Sequence, residues 1–536
     1  MRDKVGIPSI FNDVIGPVMR GPSSSHCAAS LRVGRMCRDL MDGQIERALI
    51  EFDPDGSLAT THESQGSDMG LFAGFLGWET EDARLPDYLQ GVRDAGMHIE
   101  IAIVPLAYDH PNTYKICLQN ADEKHDVVAI STGGGIIEII SIDEAPVQMA
   151  GDYCELLLFV EQPEPAIKYV QHVLDFDTLG VHQGRNTFIQ VKMQAFPDET
   201  KMAELAALEQ VTAVRRINPV LPVRGRKDMQ VPFQTCDAML QYNQDKNKEL
   251  WELAVAYEAA RGTMTEQEVV AQAGQLMHIM RAAVDTGLAG THYEDRILGS
   301  QSPRFRERLK DGVLIPDNAT NNIIMSVTAI METKSSMGVI VAAPTAGSCG
   351  AMPGALIGLA SACDIADEDV VRGLLIAGLI GIFITGRATF AAEVGGCQAE
   401  CGSGSGMAAA AMTAMMGGSI QQSLNAASLA LQNSLGMICD PIANRVEAPC
   451  LGKNIMAASN ALSCTNMALA DYDALIPLDE VIETMDKVGK SIPNDLCCTS
   501  LGGLSVTRTS KNIEARLQQG QRQLPVISQK NRFKIC

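Results

Sequence analysis

The spacing of apolar residues changes near residue 236, and this change constrains the fold more than any other feature of the chain. From there on, apolar residues recur every three or four positions, which is the pattern of amphipathic helices. Residues 406–416 are so rich in alanine that a helix there must be buried on most sides. We therefore predict an all-helical domain over residues 236–536, with its clearest helices at 250–260, 266–285 and 367–386.

Residues 7–150 instead alternate between strand-like and helix-like segments. This alternation is typical of α/β or α+β folds, and we expect an α+β domain here. The predicted strands are 48–52, 99–104 and 127–130, and the predicted helices are 30–41 and 87–94.

Residues 152–222 form a smaller unit with the order strand, helix, strand, helix, strand. This order suits a ferredoxin-like sandwich. The unit resembles an ACT domain, a small regulatory module that binds amino acids, although one expected strand is weak. A generic α+β scaffold unit is the alternative. The predicted strands are 153–160, 186–195 and 211–218, and the predicted helices are 164–174 and 202–208.

The stretch 219–232 is polar and contains proline and arginine, which indicates a linker before the helical domain. The basic residues at 215–216 and 224–227 are interpreted as part of a solvated linker. With a net charge of -21 and no other basic patch, the chain is not expected to bind nucleic acid.

A length of 536 residues is too great for one ordinary core, so the protein should be multidomain. The N-terminus lacks the pattern of a secretory signal. The longest apolar stretch, 373–386, is shorter than the roughly 20 residues that a membrane span needs, and it predicts a buried helix. We therefore expect a cytoplasmic protein without a membrane partner, in which the 15 cysteines are largely reduced thiols or metal ligands.

Three cysteines in the helical domain lie beside glycine or proline: Cys397, Cys439 and Cys450. The backbone should turn at such positions, and turns let distant segments converge. Three thiolates are one short of a tetrahedral set, as expected for a metal centre that keeps a position open for substrate. The wide spacing excludes a zinc ribbon but suits a [4Fe–4S] cluster. Three unrelated buried thiols are the alternative.

Two further loops are candidates for binding an anion. Ser23, Ser24 and Ser25 precede a helix and are followed by His26, so hydroxyl and backbone donors lie beside a group that can transfer protons near neutral pH. In the loop 343–354, Thr345, Gly347 and Ser348 offer similar donors. The alternatives are an ordinary helix cap with a surface histidine and a tight connection between helices.

Several motifs together resemble the bacterial iron–sulfur L-serine dehydratases. Those like the family's regulatory side are Gly-Pro-Ser-Ser-Ser-His, His-Pro-Asn-Thr and Ser-x-Gly-Gly-Gly. Those like its catalytic domain are Ala-Pro-Thr-x-Gly, Gly-Cys-Gln-x-Glu, Leu-Gly-Met-Ile-Cys-Asp-Pro, Pro-Cys-x-x-x-Asn and Thr-Ser-x-Gly-Gly. The motifs follow the family order and span nearly the whole chain.

The resemblance implies an enzyme that converts L-serine to pyruvate and ammonia in amino-acid catabolism and gluconeogenesis. Cys397, Cys439 and Cys450 would hold the [4Fe–4S] cluster, and Cys536 would reach the active site when substrate is absent. The resemblance also implies three parts, namely a domain like the allosteric substrate-binding type (7–150), an ACT-like domain (152–222) and the helical catalytic domain (236–536). A homodimer is expected because ACT modules commonly pair.

Two positions depart from the family pattern. Gln65 stands where the family usually has histidine, although His62 lies nearby, and Gly395 and Gly396 precede Cys397 where one glycine is usual. These changes leave open whether the substrate is L-serine, L-threonine or another β-hydroxy amino acid.

For the chemistry, we expect an open iron to act as a Lewis acid on the substrate hydroxyl. His26 is the candidate for proton transfer, and the candidates for binding the substrate are Ser23, Ser24, Ser25, Thr345, Gly347 and Ser348. Asp440, beside a ligand, should support that ligand rather than react. A non-catalytic amino-acid sensor is the alternative from another class.

Overall fold

The computed structural model describes residues 6–518, so the predicted tail ligand Cys536 lies outside the described residues. The N-terminal part is mixed α/β, and the C-terminal part is helical. The elements of the first part are β1 (Val18–Met19), α1 (Ala29–Leu40), β2 (Arg47–Phe52), α2 (Leu58–Thr61), α3 (Ser67–Phe75), α4 (Tyr88–Asp94), β3 (His98–Ile103), β4 (Thr113–Gln119), β5 (Lys124–Gly133), β6 (Ile136–Ile142) and β7 (Ala145–Met149).

Six of these strands form one sheet in the order β3-β2-β4-β5-β6-β7, with β2 and β3 parallel and the other neighbours antiparallel. Helices α1 and α3 cross at glycines. A Cβ on Gly34 would lie 2.4 Å from the Leu71 carbonyl oxygen, and one on Gly70 would lie 2.0 Å from the Cys27 carbonyl oxygen. This close crossing fixes the short π-helix Ser24–Ala28 that leads into α1.

The second part has the elements β8 (Cys154–Val160), α5 (Pro163–Val173), β9 (Thr178–Gln183), β10 (Thr187–Met193), α6 (Glu199–Ala206) and β11 (Val211–Ile217). Its antiparallel sheet has the order β11-β8-β10-β9. Strand β9 is the one that was weak in the sequence, because this edge strand is half-exposed along its length and lacks a regular apolar alternation.

Strand β8 is buried on both faces of its sheet. Leu156 and Leu158 pack in the core of this unit, whereas Leu157 and Phe159 pack against the core of the first part. The small unit is therefore attached to the first part through one face of its sheet.

The prediction of a solvated linker is wrong. Arg215 lies in β11, and its Nη2 donates to Glu123 at 2.6 Å. Farther along, Val223 is buried, and its backbone N–H and C=O both bond the side chain of Asn12. Although the sequence around this valine is polar, its hydrogen bonds with Asn12 fix this part of the chain against the first part.

The C-terminal part confirms the helical pattern, apart from the two-residue strand β12, which pairs with β1. Its elements are α7 (Cys236–Asn243), α8 (Leu250–Arg261), α9 (Glu266–Ala289), α10 (Ser302–Lys310), α11 (Asn318–Ser335), β12 (Ile340–Val341), α12 (Ala351–Cys363), α13 (Asp367–Thr385), α14 (Ala392–Gly395), α15 (Ser403–Met415), α16 (Ile420–Ser434), α17 (Cys450–Leu469), α18 (Leu478–Ser491) and α19 (Arg508–Gln518).

The helical core packs directly against the N-terminus. Glycines on α13 let the π-helix Ile10–Val14 approach closely: a Cβ on Gly381 would lie 2.1 Å from Val14 Cγ1, and one on Gly378 would lie 2.5 Å from Ile10 Cγ2. By length and composition one described segment, Ala346–Cys363, could cross a membrane, but 83% of it is buried inside the fold. It has the burial of a core helix.

Candidate metal centre and active site

The three predicted cysteines lie in one buried cluster of thiols. Gly396, with φ at +69°, turns the chain just before Cys397, and a Cβ on this glycine would lie 2.7 Å from the Met437 carbonyl oxygen. Only glycine allows this approach, which brings the Cys439 segment beside Cys397. The sulfurs of Cys397 and Cys439 and a carboxylate oxygen of Glu400 all lie within 4.8 Å of one another.

Cys450 is the first residue of α17. Burial and the neighbouring Cys397 thiol raise its pKa. The pKa of Cys439 is also raised, by hydrogen bonds to the thiols of Cys397 and Cys498 and by burial. Thiolates in such a place are costly unless a cation compensates their charge.

Sequence reasoning missed two further thiols, Cys401 and Cys498. Burial and then the charges of Cys397, Glu400 and Cys450 raise the pKa of Cys401. Cys498 hydrogen-bonds the Cys439 thiol. No local spacing marks either residue, apart from the Cys-Cys pair at 497–498.

Lys453 provides positive charge beside the thiols. Its Nζ donates to the Ile438 carbonyl at 2.7 Å and to Asp440 Oδ1 at 2.7 Å, and it lies 3.9 Å from Cys397 Sγ. Burial would lower the pKa of Lys453, but the Cys397 thiol and Asp440 outweigh it and keep the pKa above its ordinary value. Asp440 also accepts from the Leu504 N–H at 2.9 Å, so it holds the lysine in place.

These residues fit a sulfur-bound metal group. Several thiols and a half-buried carboxylate, with one ammonium nearby, form a donor set that soft metals and iron–sulfur clusters prefer. An ammonium near ligand sulfurs also stabilises the negative charge that such a cluster carries. We therefore regard Cys397, Cys439 and Cys450 as residues that can hold a metal group.

The predicted loop with Thr345 lies against Glu400. Thr345 Oγ1 donates to Glu400 Oε1 at 2.6 Å, and a Cβ on Gly347 would lie only 2.8 Å from the same carboxylate. Burial raises the pKa of Glu400 to about 7. Asn454 Nδ2 donates to the carbonyls of Gly347 and Cys450, both at 2.8 Å, which ties the loop to a predicted ligand.

His26 is fully buried with both ring nitrogens occupied. Thr61 Oγ1 donates to the Ser57 carbonyl at 2.6 Å, so it accepts from His26 Nε2, 2.8 Å away. The acceptor nitrogen Nδ1 then faces the hydroxyls of Ser23 at 3.0 Å and Ser25 at 3.2 Å. Burial lowers the pKa of His26, which favours the neutral ring.

The two predicted anion loops meet. The Ala346 N–H donates to Ser24 Oγ at 3.1 Å, and Ser25 Oγ donates to Glu393 Oε1 at 2.7 Å. In this structure, the polar groups of both loops therefore form hydrogen bonds with other residues of the protein. Ser348 forms a capping box with Thr345. Glu393, four residues before Cys397, carried no signal in the sequence.

Gln65 contacts one thiol of the cluster, whereas the nearby His62 points to a different partner. Gln65 Nε2 lies 3.6 Å from Cys498 Sγ and 3.1 Å from Asn444 Oδ1. His62 Nδ1 instead pairs with Asp68 at 2.8 Å. Burial would lower the pKa of His62, but Asp68 outweighs it and raises the pKa.

The sequence of this chain is similar to the sequences of known proteins. A family model described as the serine dehydratase alpha chain matches residues 245–505. A probable L-serine dehydratase alpha chain of Bacillus subtilis (strain 168) is 34% identical over 285 residues, covering 53% of this chain and 95% of the relative. The chain belongs to the L-serine dehydratase family.

Two other relatives extend the comparison. The L-serine dehydratase alpha chain of Peptoniphilus asaccharolyticus is 36% identical over 270 residues, covering 50% of this chain and 92% of the relative. L-serine dehydratase 1 of Escherichia coli (strain K12) is 25% identical over 524 residues, covering 91% of this chain and 96% of the relative. The similarity to this last L-serine dehydratase therefore includes the mixed α/β part.

Proposed function

We propose that this chain is an L-serine ammonia-lyase that forms pyruvate and ammonia with a [4Fe–4S] cluster held by Cys397, Cys439 and Cys450. The observation that carries the proposal is the convergence of these thiols, from three separate segments, with the serine and threonine loops. The names of the relatives favour an enzyme over a non-catalytic sensor.

When bound, the cluster supplies a Lewis-acid iron that makes the substrate's hydroxyl a better leaving group. The protein's own contribution begins with the chain from Thr61 through His26 to Ser23. Because Nε2 is the donor to Thr61, Nδ1 carries the lone pair and can take a proton from a hydroxyl that it faces. Ser25 donates to Glu393, so the Ser23 hydroxyl is the group that can pass the substrate's α-proton to Nδ1.

The remaining predicted residues bind and orient the substrate. Ser24 Oγ accepts from Ala346, so its own hydrogen is available for a carboxylate. Thr345 and Ser348 offer further hydroxyls, and Gly347 leaves room for the Glu400 carboxylate, which suits the substrate's ammonium. The Lys453 ammonium, which Asp440 holds in place, would compensate part of the negative charge of the cluster.

We also propose roles for the other two parts. Residues 7–150 form an allosteric substrate-binding-like domain, and residues 152–222 form an ACT-like regulatory domain within a cytoplasmic homodimer. The order of β8 to β11 and their helices supports the second assignment, since it is the ferredoxin-like order. Cys536 would be the tail ligand of the substrate-free state.

The test uses the full chain purified without oxygen. We expect equal amounts of iron and acid-labile sulfide, a brown chromophore, and pyruvate release from L-serine. Side-by-side assays with L-threonine establish which of the two amino acids the chain prefers. Colourless, iron-free protein that still releases pyruvate would overturn the proposed cluster, and iron-containing protein without turnover of either amino acid would overturn the proposed activity.

A further inference from the structure

A cleft of about 310 Å³ lies where the three parts of the chain meet. Its walls are the segment 11–18, the helix α1, the stretch 219–222 and one side of α9. Cavities of this size hold small organic molecules. None of the residues proposed to bind substrate or the cluster lines the cleft, so it is separate from the proposed active site.

Arg32 on α1 gives the cleft a buried positive charge. This residue is 4% exposed, and its Nη1 donates to the Gly135 carbonyl at 2.5 Å. Burial lowers the pKa of Arg32 to about 10, so the guanidinium is charged at neutral pH. Asp13 acts on this charge only from a distance: its carboxylate accepts from the Ser9 N–H at 2.8 Å and forms no ion pair with Arg32 among the described contacts. A buried guanidinium with so little compensation favours an anionic ligand.

The other charged groups that line the cleft are closer to solvent. Arg35 pairs with Glu79, whose side chain is 66% exposed. Glu81 is exposed as well and accepts from Thr80 Oγ1 at 3.0 Å. Arg32 is therefore the cation of the cleft that lacks an acidic partner among the described residues, and one negative charge on a ligand would compensate it.

Apolar side chains from different parts of the chain form much of the remaining lining, namely Phe11, Ile15, Leu31, Val220, Leu221 and Leu276. A ligand with an apolar body gains free energy by covering such surface. A small polar amino acid such as L-serine has no such body. The lining therefore favours a carboxylate that is larger and less polar than the proposed substrate.

We propose that this cleft binds a small organic monocarboxylate with an apolar body. The carboxylate accepts hydrogen bonds from the Arg32 guanidinium, which has further N–H groups besides the one that bonds Gly135. The apolar body packs against the side chains of α1, the stretch 219–222 and α9. The site goes beyond the proposed function and does not depend on it, because the two share no residue.

The test measures binding of 4-methylpentanoate to the full chain by isothermal titration calorimetry. We expect one site per chain. L-leucine adds an ammonium to the same skeleton and should bind more weakly, because the acids of the cleft are exposed or already paired. 4-Methylpentan-1-ol lacks the carboxylate and should not bind. Tighter binding of L-leucine, equal binding of the alcohol, or no binding of 4-methylpentanoate would each overturn the proposal.

Arg32→Met shows whether binding occurs in this cleft. It should weaken the affinity for 4-methylpentanoate about 10- to 100-fold, because it removes a charged hydrogen-bond donor. Arg38→Met is the matched control on α1, since the Arg38 Nη1 donates to the Phe75 carbonyl at 2.9 Å outside the cleft. Circular dichroism establishes that each variant is folded.

A second variant tests the site without removing the buried charge. Gln272 lines the cleft from α9, so Gln272→Trp should fill part of the cleft and weaken binding of 4-methylpentanoate at least tenfold. Gln275→Trp is its control, because Gln275 is exposed on the same helix and does not line the cleft. Unchanged affinity in Gln272→Trp would place the ligand elsewhere and overturn the proposal, even if Arg32→Met does not fold.

Discussion

The thiols of the helical domain and the hydroxyls of the N-terminal loop face the same site, but different forces stabilise them. Cys439 and Cys450 are buried thiols whose pKa values are raised, and Lys453 is the cation closest to Cys397 among the described contacts. The side chains of Ser23, His26 and Thr61 instead form a hydrogen-bond chain, and Ser25 connects the same loop to the Glu393 carboxylate. The thiols can therefore become thiolates at low cost only when a cation such as a metal compensates their charge, whereas the side chains of the loop already have protein partners for their hydrogen bonds.

This difference separates the effects of substitution on each side. Loss of a thiol should remove the metal group and all that depends on it. Loss of a member of the hydroxyl chain should leave the metal group bound, because no contact of that chain is with a proposed ligand. Iron content and activity should therefore change together on one side and separately on the other.

Cys450→Ser should have the largest effect. Removing one of three thiolate ligands should abolish iron and sulfide binding and reduce turnover by more than about 1000-fold, because the Lewis acid is lost. Cys464→Ser is the matched control on the same helix, since the Cys464 thiol bonds Asn433 and Asn460 away from the thiol cluster. Iron analysis and pyruvate assays measure both. Full iron content in Cys450→Ser would contradict its role as a ligand.

His26→Gln should lower kcat by about 100- to 10,000-fold, the usual contribution of general base catalysis, without loss of iron. Glutamine keeps hydrogen-bonding groups near Thr61 but cannot take a proton. His98→Gln is the control, because His98 lies at the exposed end of β3 and pairs with Glu100. Iron loss in His26→Gln would show that the two sides are not independent.

The sequence predicted the helical domain well because helical periodicity is local. Strand β9 and the contacts of Val223 were missed because both depend on tertiary neighbours: an edge strand has little apolar pattern, and a valine in a polar stretch gives no sign of its partner. Glycine and proline near Cys397, Cys439 and Cys450 predicted turns at which distant segments could converge, with three unrelated buried thiols as the alternative.

The additional thiols and the acids of the site could not be predicted in this way. Cys498 meets Cys439 across 58 intervening residues through backbone hydrogen bonds of an irregular loop. Glu393 is positioned by its bond to Ser25, 368 residues away in the sequence. Gln65 was noticed as a departure from a family pattern, but its contact with a thiol required the structure.

The four-stranded sheet of the second part contains a third kind of buried polar group. Its Glu155 has neither a metal nor a complete set of hydrogen bonds among the described residues. Glu155 Oε1 has no hydrogen-bond partner among the described residues, Lys192 lies 4.0 Å away, and burial raises the pKa of Glu155 to about 7. This folded-state pKa exceeds the ordinary 4.5, so stability is lost as pH rises from 4.5 through 7. The loss should approach about 3 kcal/mol at pH 8.

Glu155→Gln should remove this pH dependence. The variant should match the unmodified chain near pH 4.5 and be the more stable of the two near pH 8, as measured by hydrogen exchange of the β8 and β10 amides. Glu199→Gln is the control, because Glu199 is exposed and pairs with Arg216. A slope that persists in Glu155→Gln would assign the effect to another group.

Ser24→Ala should have the smallest effect, because it removes one hydroxyl and no charge. This hydroxyl accepts from the Ala346 N–H and is proposed to donate to the substrate carboxylate, so its loss should weaken substrate binding by about 1 to 2 kcal/mol and raise the KM for L-serine about 5- to 30-fold with iron content unchanged. Ser30→Ala is the matched control, since the Ser30 hydroxyl bonds the Cys27 carbonyl within its own segment. If kcat instead fell by more than about 100-fold, Ser24 would take part in proton transfer, and the assignment of that step to Ser23 and His26 would be wrong.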